Sequence, residues 1–242
     1  MRARTDFEAP PSGLVFLAVP DSAIAETAQR IAATNPPAGV SFVHLSGATT
    51  LGALALLRPR AVGSFHPLAS FPFPRPPSAF RGITVAVDAS TPALERKLNA
   101  LARRLGAKPK HVGDADRAAY HAAGMYASNF VDVIVGEAVR LLGGVGWSEK
   151  EATSALMPLI DGAVENIRTK GVVKALTGPI RRGDGETVRR HLEVVADPEL
   201  YRMLASIALE IAREAGLEPV AAERVKRALT RDVAATRRRV RR

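Results

Sequence analysis

Leu14-Val15-Phe16-Leu17-Ala18-Val19-Pro20-Asp21 is a run of six apolar residues stopped by a proline and an aspartate. Its length and its abrupt end read as a buried strand, and Asp21 stands where it caps a helix running through Ala33. Asn35-Pro36-Pro37-Ala38-Gly39 is then a turn, Val40 to Leu45 a second strand, Thr50 to Leu57 a short helix, and Ala61 to Phe65 a third strand. Short apolar runs alternating with helical ones predict βαβ units and a parallel sheet. Phe71 to Pro77, with four prolines in seven residues, is an ordered loop over the sheet edge. Ile83 to Val87 resumes the strands, Thr91-Pro92 opens a helix closed by Gly106, and a last strand lies around Lys110 to Val112.

From Asp114 onward the pattern turns helical. Asp116 to Leu142 reads as one long helix ended by Gly143-Gly144, and Ser148 with Glu151 forms a capping box for a helix through about Thr169. Ala175-Leu176-Thr177-Gly178-Pro179-Ile180-Arg181-Arg182-Gly183-Asp184 is a polar loop between helices. Further helices span Glu186 to Val195, Asp197 to about Gly216, and Val220 to Ala235. The expected organisation is an α/β domain over 1–113, an all-helical domain over 114–222 and a basic tail over 223–242, with no internal repeat.

A chain of 242 residues has enough apolar content for real cores, and with no cysteine it has no disulfide, thiolate nucleophile or cysteine-held metal. The apolar run at Gly13–Pro20 has no cleavage site after it, so it is not a signal peptide, and Asp132, Glu137 and Arg140 break the longest apolar segment. A soluble cytoplasmic protein with no membrane partner is expected. Of the net charge of +10, a net +7 falls in Glu223–Arg242, where nine Arg or Lys face only Glu223 and Asp232. That segment has no interleaved aromatic residues to stack bases, so it reads as a solvated tail rather than a nucleic-acid site. His44, His66, His121 and His191 lack short metal-ligand spacings, so no metal is expected. Ser46 sits in Leu45-Ser46-Gly47-Ala48, without the Gly-x-Ser-x-Gly elbow of a hydrolase nucleophile. Arg182-Gly183-Asp184 is not read as an adhesion signal.

Several stretches occur together in order: Phe16 to Asp21, His44 to Ala48, Gly63-Ser64-Phe65-His66-Pro67, Tyr120-His121-Ala122-Ala123 with Ser128-Asn129, and Ala175 to Asp184. Over roughly residues 13 to 212 the chain resembles the DUF2520-type Rossmann-like proteins with a helical C-terminal domain. These are distant kin of pyrroline-5-carboxylate reductase and the β-hydroxyacid dehydrogenases. The resemblance implies a partial Rossmann-like parallel sheet followed by an all-α domain, and an NADP or NAD cofactor. It also implies hydride transfer to a small carboxylated imine or carbonyl, and a homodimer formed through the helices. The family's Gly-x-Gly-x-x-Gly turn is not found: Gly143-Gly144-Val145-Gly146 follows a helix, not a strand. Either the natural start lies upstream, or normal cofactor binding has been lost.

On this resemblance, Val19, Pro20, Asp21, Ser46 and Gly47 would lie at the strand ends where the cofactor's nicotinamide half sits. Gly47 permits close backbone approach, while Ser46 is either a hydrogen-bonding contact or a turn residue capping the next helix. His66, in extended backbone before Pro67, is either packed or a site-lining donor. Arg117, His121, Gly124, Ser128 and Asp132 fall at helical spacing as a polar stripe, with Asn129 beside it; the stripe either faces a substrate or edges into water.

The β-hydroxyacid dehydrogenases carry a lysine four residues before the asparagine. Met125 stands there, leaving His121 or Tyr120 as the proton donor. Thr177-Gly178-Pro179 resembles the substrate-contacting Ser-Pro-Gly-Gly-Thr-Thr segment of pyrroline-5-carboxylate reductases. Arg182 is suited to a substrate carboxylate, Asp184 to capping the following helix, and His191 to packing. The candidate catalytic residues are therefore His121, Thr177 and Asn129, with His66, Ser128 and Arg182 on the substrate. A non-catalytic homodimeric binding or regulatory protein on a truncated Rossmann-like fold is the alternative.

Overall fold

Period-two apolar patterning places two cores on the two faces of one sheet. The computed structural model describes residues 8–230, which fall into two compact units, Met1–Asp132 and Val133–Arg242. In the first unit β1 (Ser12–Leu17), β2 (Gly39–His44), β3 (Val62–Pro67), β4 (Thr84–Ala89) and β5 (Lys108–His111) lie side by side in chain order. The β1–β2, β2–β3 and β4–β5 pairs are parallel. The sheet is mostly parallel: β4 runs antiparallel to β3. A parallel connection needs a long crossover, whereas the proline-rich stretch between these strands holds only the 3-10 turn Pro77–Phe80.

Val40 and Phe42 of β2 and Val62 of β3 face a layer made by α1 (Ile24–Ala33) and the 3-10 helix Leu51–Leu57, through Ile24, Ala28, Ile31, Leu54 and Leu57. Val43, Phe65, Val85 and Val87 face α2 (Pro92–Arg104), through Leu94, Leu98 and Ala102. Gly63 admits this second layer, since a Cβ there would lie 3.1 Å from Leu98, 3.2 Å from Leu94 and 2.8 Å from the Asp88 carbonyl oxygen. Thr91 caps α2 by accepting from the Leu94 N–H.

Two expectations are corrected in this unit. Asp21 does not cap α1: it opens the 3-10 turn Asp21–Ala23 without a side-chain cap bond, and its carboxylate accepts from Ser46 instead. The short helix expected from Thr50 to Leu57 is present as the 3-10 helix Leu51–Leu57. The rod expected from Asp116 to Leu142 is two helices, α3 (Arg117–Ala127) and α4 (Asn129–Gly143), parted at Ser128 with φ −131° and ψ −81°. The Ser128 carbonyl accepts from the Val131 and Asp132 N–H groups and so starts the second helix. Serine and asparagine favour helix ends over interiors because they compete for backbone hydrogen bonds. The break also ends the continuous polar stripe expected along that rod.

In the second unit α5 (Glu149–Ala175) begins with the expected Ser148/Glu151 capping box and is interrupted at Gly171, which takes φ 74°. The expected polar loop contains a short helix, α6 (Gly178–Arg182), because Pro179 near its start presets the backbone and left-handed Gly183 stops it. Then come α7 (Gly185–Val194), α8 (Pro198–Glu214) and α9 (Pro219–Thr230). Val188 and Leu192 of α7, Ala205 and Leu209 of α8, and Ala222, Val225, Ala228 and Leu229 of α9 form their core. Of the helix expected over Val220 to Ala235, residues 231–235 lie outside the described residues, as does the rest of the basic tail beyond α9.

Candidate active site

Strand register assembles a polar row. Leu17 of β1 pairs with His44 of β2, His44 with Ser64 of β3, and Ser64 with Asp88 of β4. β1 and β2 end at this level, while β3 continues through Phe65, His66 and Pro67 with only β4 beside it among the described residues. His66 thus stands beyond the carboxyl ends of β1 and β2, where parallel sheets place their ligands.

Arg117, 1% exposed, anchors α3 on this row. Its Nη2 donates to Ser64 Oγ at 2.5 Å and to Asp88 Oδ2 at 3.3 Å, and its Nε donates to Asp114 Oδ1 at 2.9 Å. Asp114 in turn accepts from the Leu51 N–H, joining α3 to the 3-10 helix. A buried guanidinium is tolerable only when so partnered. His44 is fully buried in the row, and neither of its ring nitrogens has a partner among the described residues. Burial, reinforced by the Arg117 charge, lowers its pKa to about 4, so at neutral pH it is an uncharged imidazole.

One turn along α3, the Tyr120 hydroxyl and His66 Nδ1 lie 2.8 Å apart, with the rings edge to face at 5.5 Å. Burial and then the neighbouring His121 charge hold His66 below the usual histidine range, and burial raises Tyr120. Both groups are neutral at pH 7. Behind the imidazole lies Gly47, where a Cβ would fall 2.8 Å from His66 Cε1 and 2.9 Å from each ring nitrogen. Ser46 fixes that glycine: its hydroxyl donates to Asp21 Oδ2 at 2.6 Å, accepts from the Ala48 and Thr49 N–H groups, and lies 2.9 Å from the Thr49 hydroxyl. The turn after β2 is thereby tied to the turn after β1.

A cleft of about 640 Å³ opens beside α3, lined by His66, Leu68, Ala69, Ser70, Tyr120 and His121, and by Ala123–Met125 and Ala127–Asn129. It gathers His66, His121, Ser128 and Asn129 of the residues singled out by sequence, and Met125 lines it as well. Val19, Pro20, Asp21, Ser46 and Gly47 occupy the turns after β1 and β2. Thr177 and Arg182 belong to the second unit. There Thr177 holds the N-cap position of α6 with no side-chain cap bond, and Arg182 ends that helix. Asp184 caps α7 by accepting from the Thr187 N–H at 3.0 Å and the Thr187 hydroxyl at 2.6 Å, and the His191 ring bonds the Tyr201 hydroxyl at 2.7 Å. Sequence reading missed the Ser64–Asp88–Arg117–Asp114 network. One signal was present: an aspartate inside the apolar strand Thr84–Ala89 requires a buried partner.

The sheet followed by helices is the fold of Rossmann-like reductases. A structure of a candidate NADP oxidoreductase from Bacteroides fragilis is 25% identical, with a TM-score of 0.69 over 84% of this chain and 78% of that one. A Thermotoga maritima protein is 24% identical, with a TM-score of 0.70 over 86% and 81%. Plasmodium falciparum pyrroline carboxylate reductase with NADP bound is 12% identical, with a TM-score of 0.55 over 88% and 77%. The family model for the domain of unknown function DUF2520 matches residues 83–211, and the chain belongs to that family. No curated protein matches it. Among the described residues no helix is long and apolar enough to cross a membrane.

Proposed function

We propose that the protein is an NAD(P)H-dependent reductase acting on a small carboxylated imine or carbonyl compound. The observation that carries this reading is the convergence of His66, Tyr120, His121, Ser128 and Asn129 on one cleft just beyond the carboxyl ends of β1 and β2. The similarity to the candidate NADP oxidoreductase from Bacteroides fragilis supports it.

The strand-end turns fit the nicotinamide end of a dinucleotide. Gly47 admits the His66 imidazole, which a Cβ would displace, and the Asp21–Ser46 bond holds the two turns in one arrangement. Ser46 acts there by shaping the turn, since its hydroxyl is committed to Asp21. When bound, the reduced nicotinamide supplies a hydride to the substrate carbon. His121, exposed and one helical turn from Arg117, delivers the proton to the substrate oxygen or nitrogen and regains it from solvent. Asn129 orients the same atom through its amide, and Ser128 and His66 contact the rest of the substrate. In the second unit, the Thr177 hydroxyl and the Arg182 guanidinium are the groups its turn offers to a ligand.

A homodimer is part of the reading. α4 buries none of its residues and α5 only Ala152, while Ile134, Leu141, Leu159, Val164 and Ile207 are exposed. That is more apolar surface than a monomer ordinarily shows to water. Light scattering on a size-exclusion column that gave a monomer at micromolar concentration would remove this part.

Calorimetric titration of NADPH and NADH tests the reading, followed by spectrophotometric assay of NADPH oxidation with small carboxylated carbonyls and cyclic imines. Micromolar nucleotide binding, with turnover that His121→Ala lowers a hundredfold or more, supports it. A folded protein that binds neither nucleotide ends it.

A further inference from the structure

The polar groups of the cleft are unequally engaged. Tyr120 is bonded to His66 Nδ1, but among the described residues His66 Nε2 and the side chains of His121, Ser70, Ser128 and Asn129 have no hydrogen-bond partner. Among the described residues no aspartate or glutamate lines the cleft. The Arg117 guanidinium is held by Ser64, Asp88 and Asp114 through Nη2 and Nε, while its buried Nη1 has no partner among the described residues. Beside the Tyr120 hydroxyl on its Nδ1, the charged groups that bear on His66 are His121 and Arg117 on α3, which disfavour its protonation, and Asp21 after β1, which favours it. Two imidazoles, three neutral polar side chains and no carboxylate make a surface that accepts an anion.

We propose that this cleft is a carboxylate subsite, in which the anion lies between the imidazoles of His66 and His121 and a proton is taken up as it binds. The inference deepens the reductase reading, on which it rests for its biological meaning, by naming the group through which the substrate is held in the first unit. The anion supplies the opposite charge that a buried imidazole lacks, so protonation and binding favour each other. For one proton taken up, affinity rises by up to tenfold per pH unit as pH falls.

The test is an NMR titration of the imidazole Cε1–H signals of the full chain between pH 8 and pH 5.5, with sodium acetate, acetamide or inorganic phosphate at constant ionic strength. His111 and His191, which lie outside the cleft, serve as internal references. The expected result is that acetate shifts His66 and His121 toward higher titration midpoints, binds about tenfold tighter at pH 6 than at pH 7.5, and leaves the references unmoved. His121→Gln, at an exposed position that tolerates the change, should lose most of that pH dependence. An equal response to acetamide, an equal response to phosphate, or equal shifts at His111 and His191 would each overturn the carboxylate assignment. Calorimetry with NADPH on the same sample separates the two readings. Nucleotide binding without an acetate response removes the subsite alone, and an acetate response without nucleotide binding removes the reductase reading alone.

Discussion

Gly47 and His66 are in such close apposition that a single methyl group on Gly47 would fall 2.8–2.9 Å from three atoms of the imidazole. Gly47→Ala should therefore push the ring away and break its 2.8 Å bond to Tyr120. Overpacking of this kind costs about 1–3 kcal/mol. Urea unfolding measures the cost, and a displaced His66 Cε1–H resonance identifies its origin. A variant with unchanged stability and spectrum would show that the turn after β2 yields freely.

His44 makes stability depend on pH. Its pKa is about 4 in the folded chain and near 6.5 when unfolded. Between these values the unfolded chain takes up a proton that the folded one refuses. The contribution of the buried neutral imidazole is thus complete above pH 6.5 and is lost as pH falls toward 4, by roughly 3 kcal/mol over the full span. Urea denaturation at pH 7, 5.5 and 4.5 should show this decline in the native chain. His44→Leu should remove the His44 share of it, with little penalty at pH 7 because neither ring nitrogen is bonded among the described residues.

Arg117→Met leaves Asp88, 8% exposed, facing Ser64 without its cation. Breaking a buried pair from one side costs about 3–5 kcal/mol, and the partial exposure of Asp114 places this case at the lower end. Chemical denaturation gives the magnitude. Hydrogen exchange should show α3 losing protection before the β2–β3 ladder does.

In the second unit, Gly183→Ala should be among the most damaging single-methyl additions. Its φ is 70°, and its Cβ would lie 2.4 Å from Ala221 Cβ. At Gly185 the added carbon would lie 2.5 Å from the Arg224 carbonyl oxygen. Each change forces α9 away from the segment that joins α6 to α7, at a cost of several kcal/mol, roughly that of strong overpacking, to which backbone strain adds at Gly183. Thermal melts of the two variants test this, with Gly146→Ala as a comparison, strained by φ 96° but open in space.

The strands were legible because Leu14–Val19, Val40–Leu45 and Ala61–Phe65 are short apolar runs between turn residues, and the Ser148/Glu151 box and the Asp197 cap are local signals read within four residues. The direction of β4 was less so. Only the lack of a helical stretch between Phe65 and Ile83 foretold it. The break at Ser128 carries no glycine or proline to mark it. Of the site, His66, His121, Ser128 and Asn129 were found through the resemblance. The Ser64–Asp88–Arg117 contacts depend on strand register, which joins residues 24 to 53 positions apart and is not written in any local pattern.

The seat of α9 has a bearing on how the protein behaves in salt. The helix carries Arg224, Lys226 and Arg227, yet Gly183 and Gly185 meet its backbone, and Ala222, Val225 and Leu229 fill the space beneath. The ion pair of Arg227 with Glu223 runs along its own surface. Molar sodium chloride that screens that pair leaves the packing intact, because close apolar contact does not weaken with ionic strength. The basic stretch that begins on this helix therefore has a base that stays in place in brine.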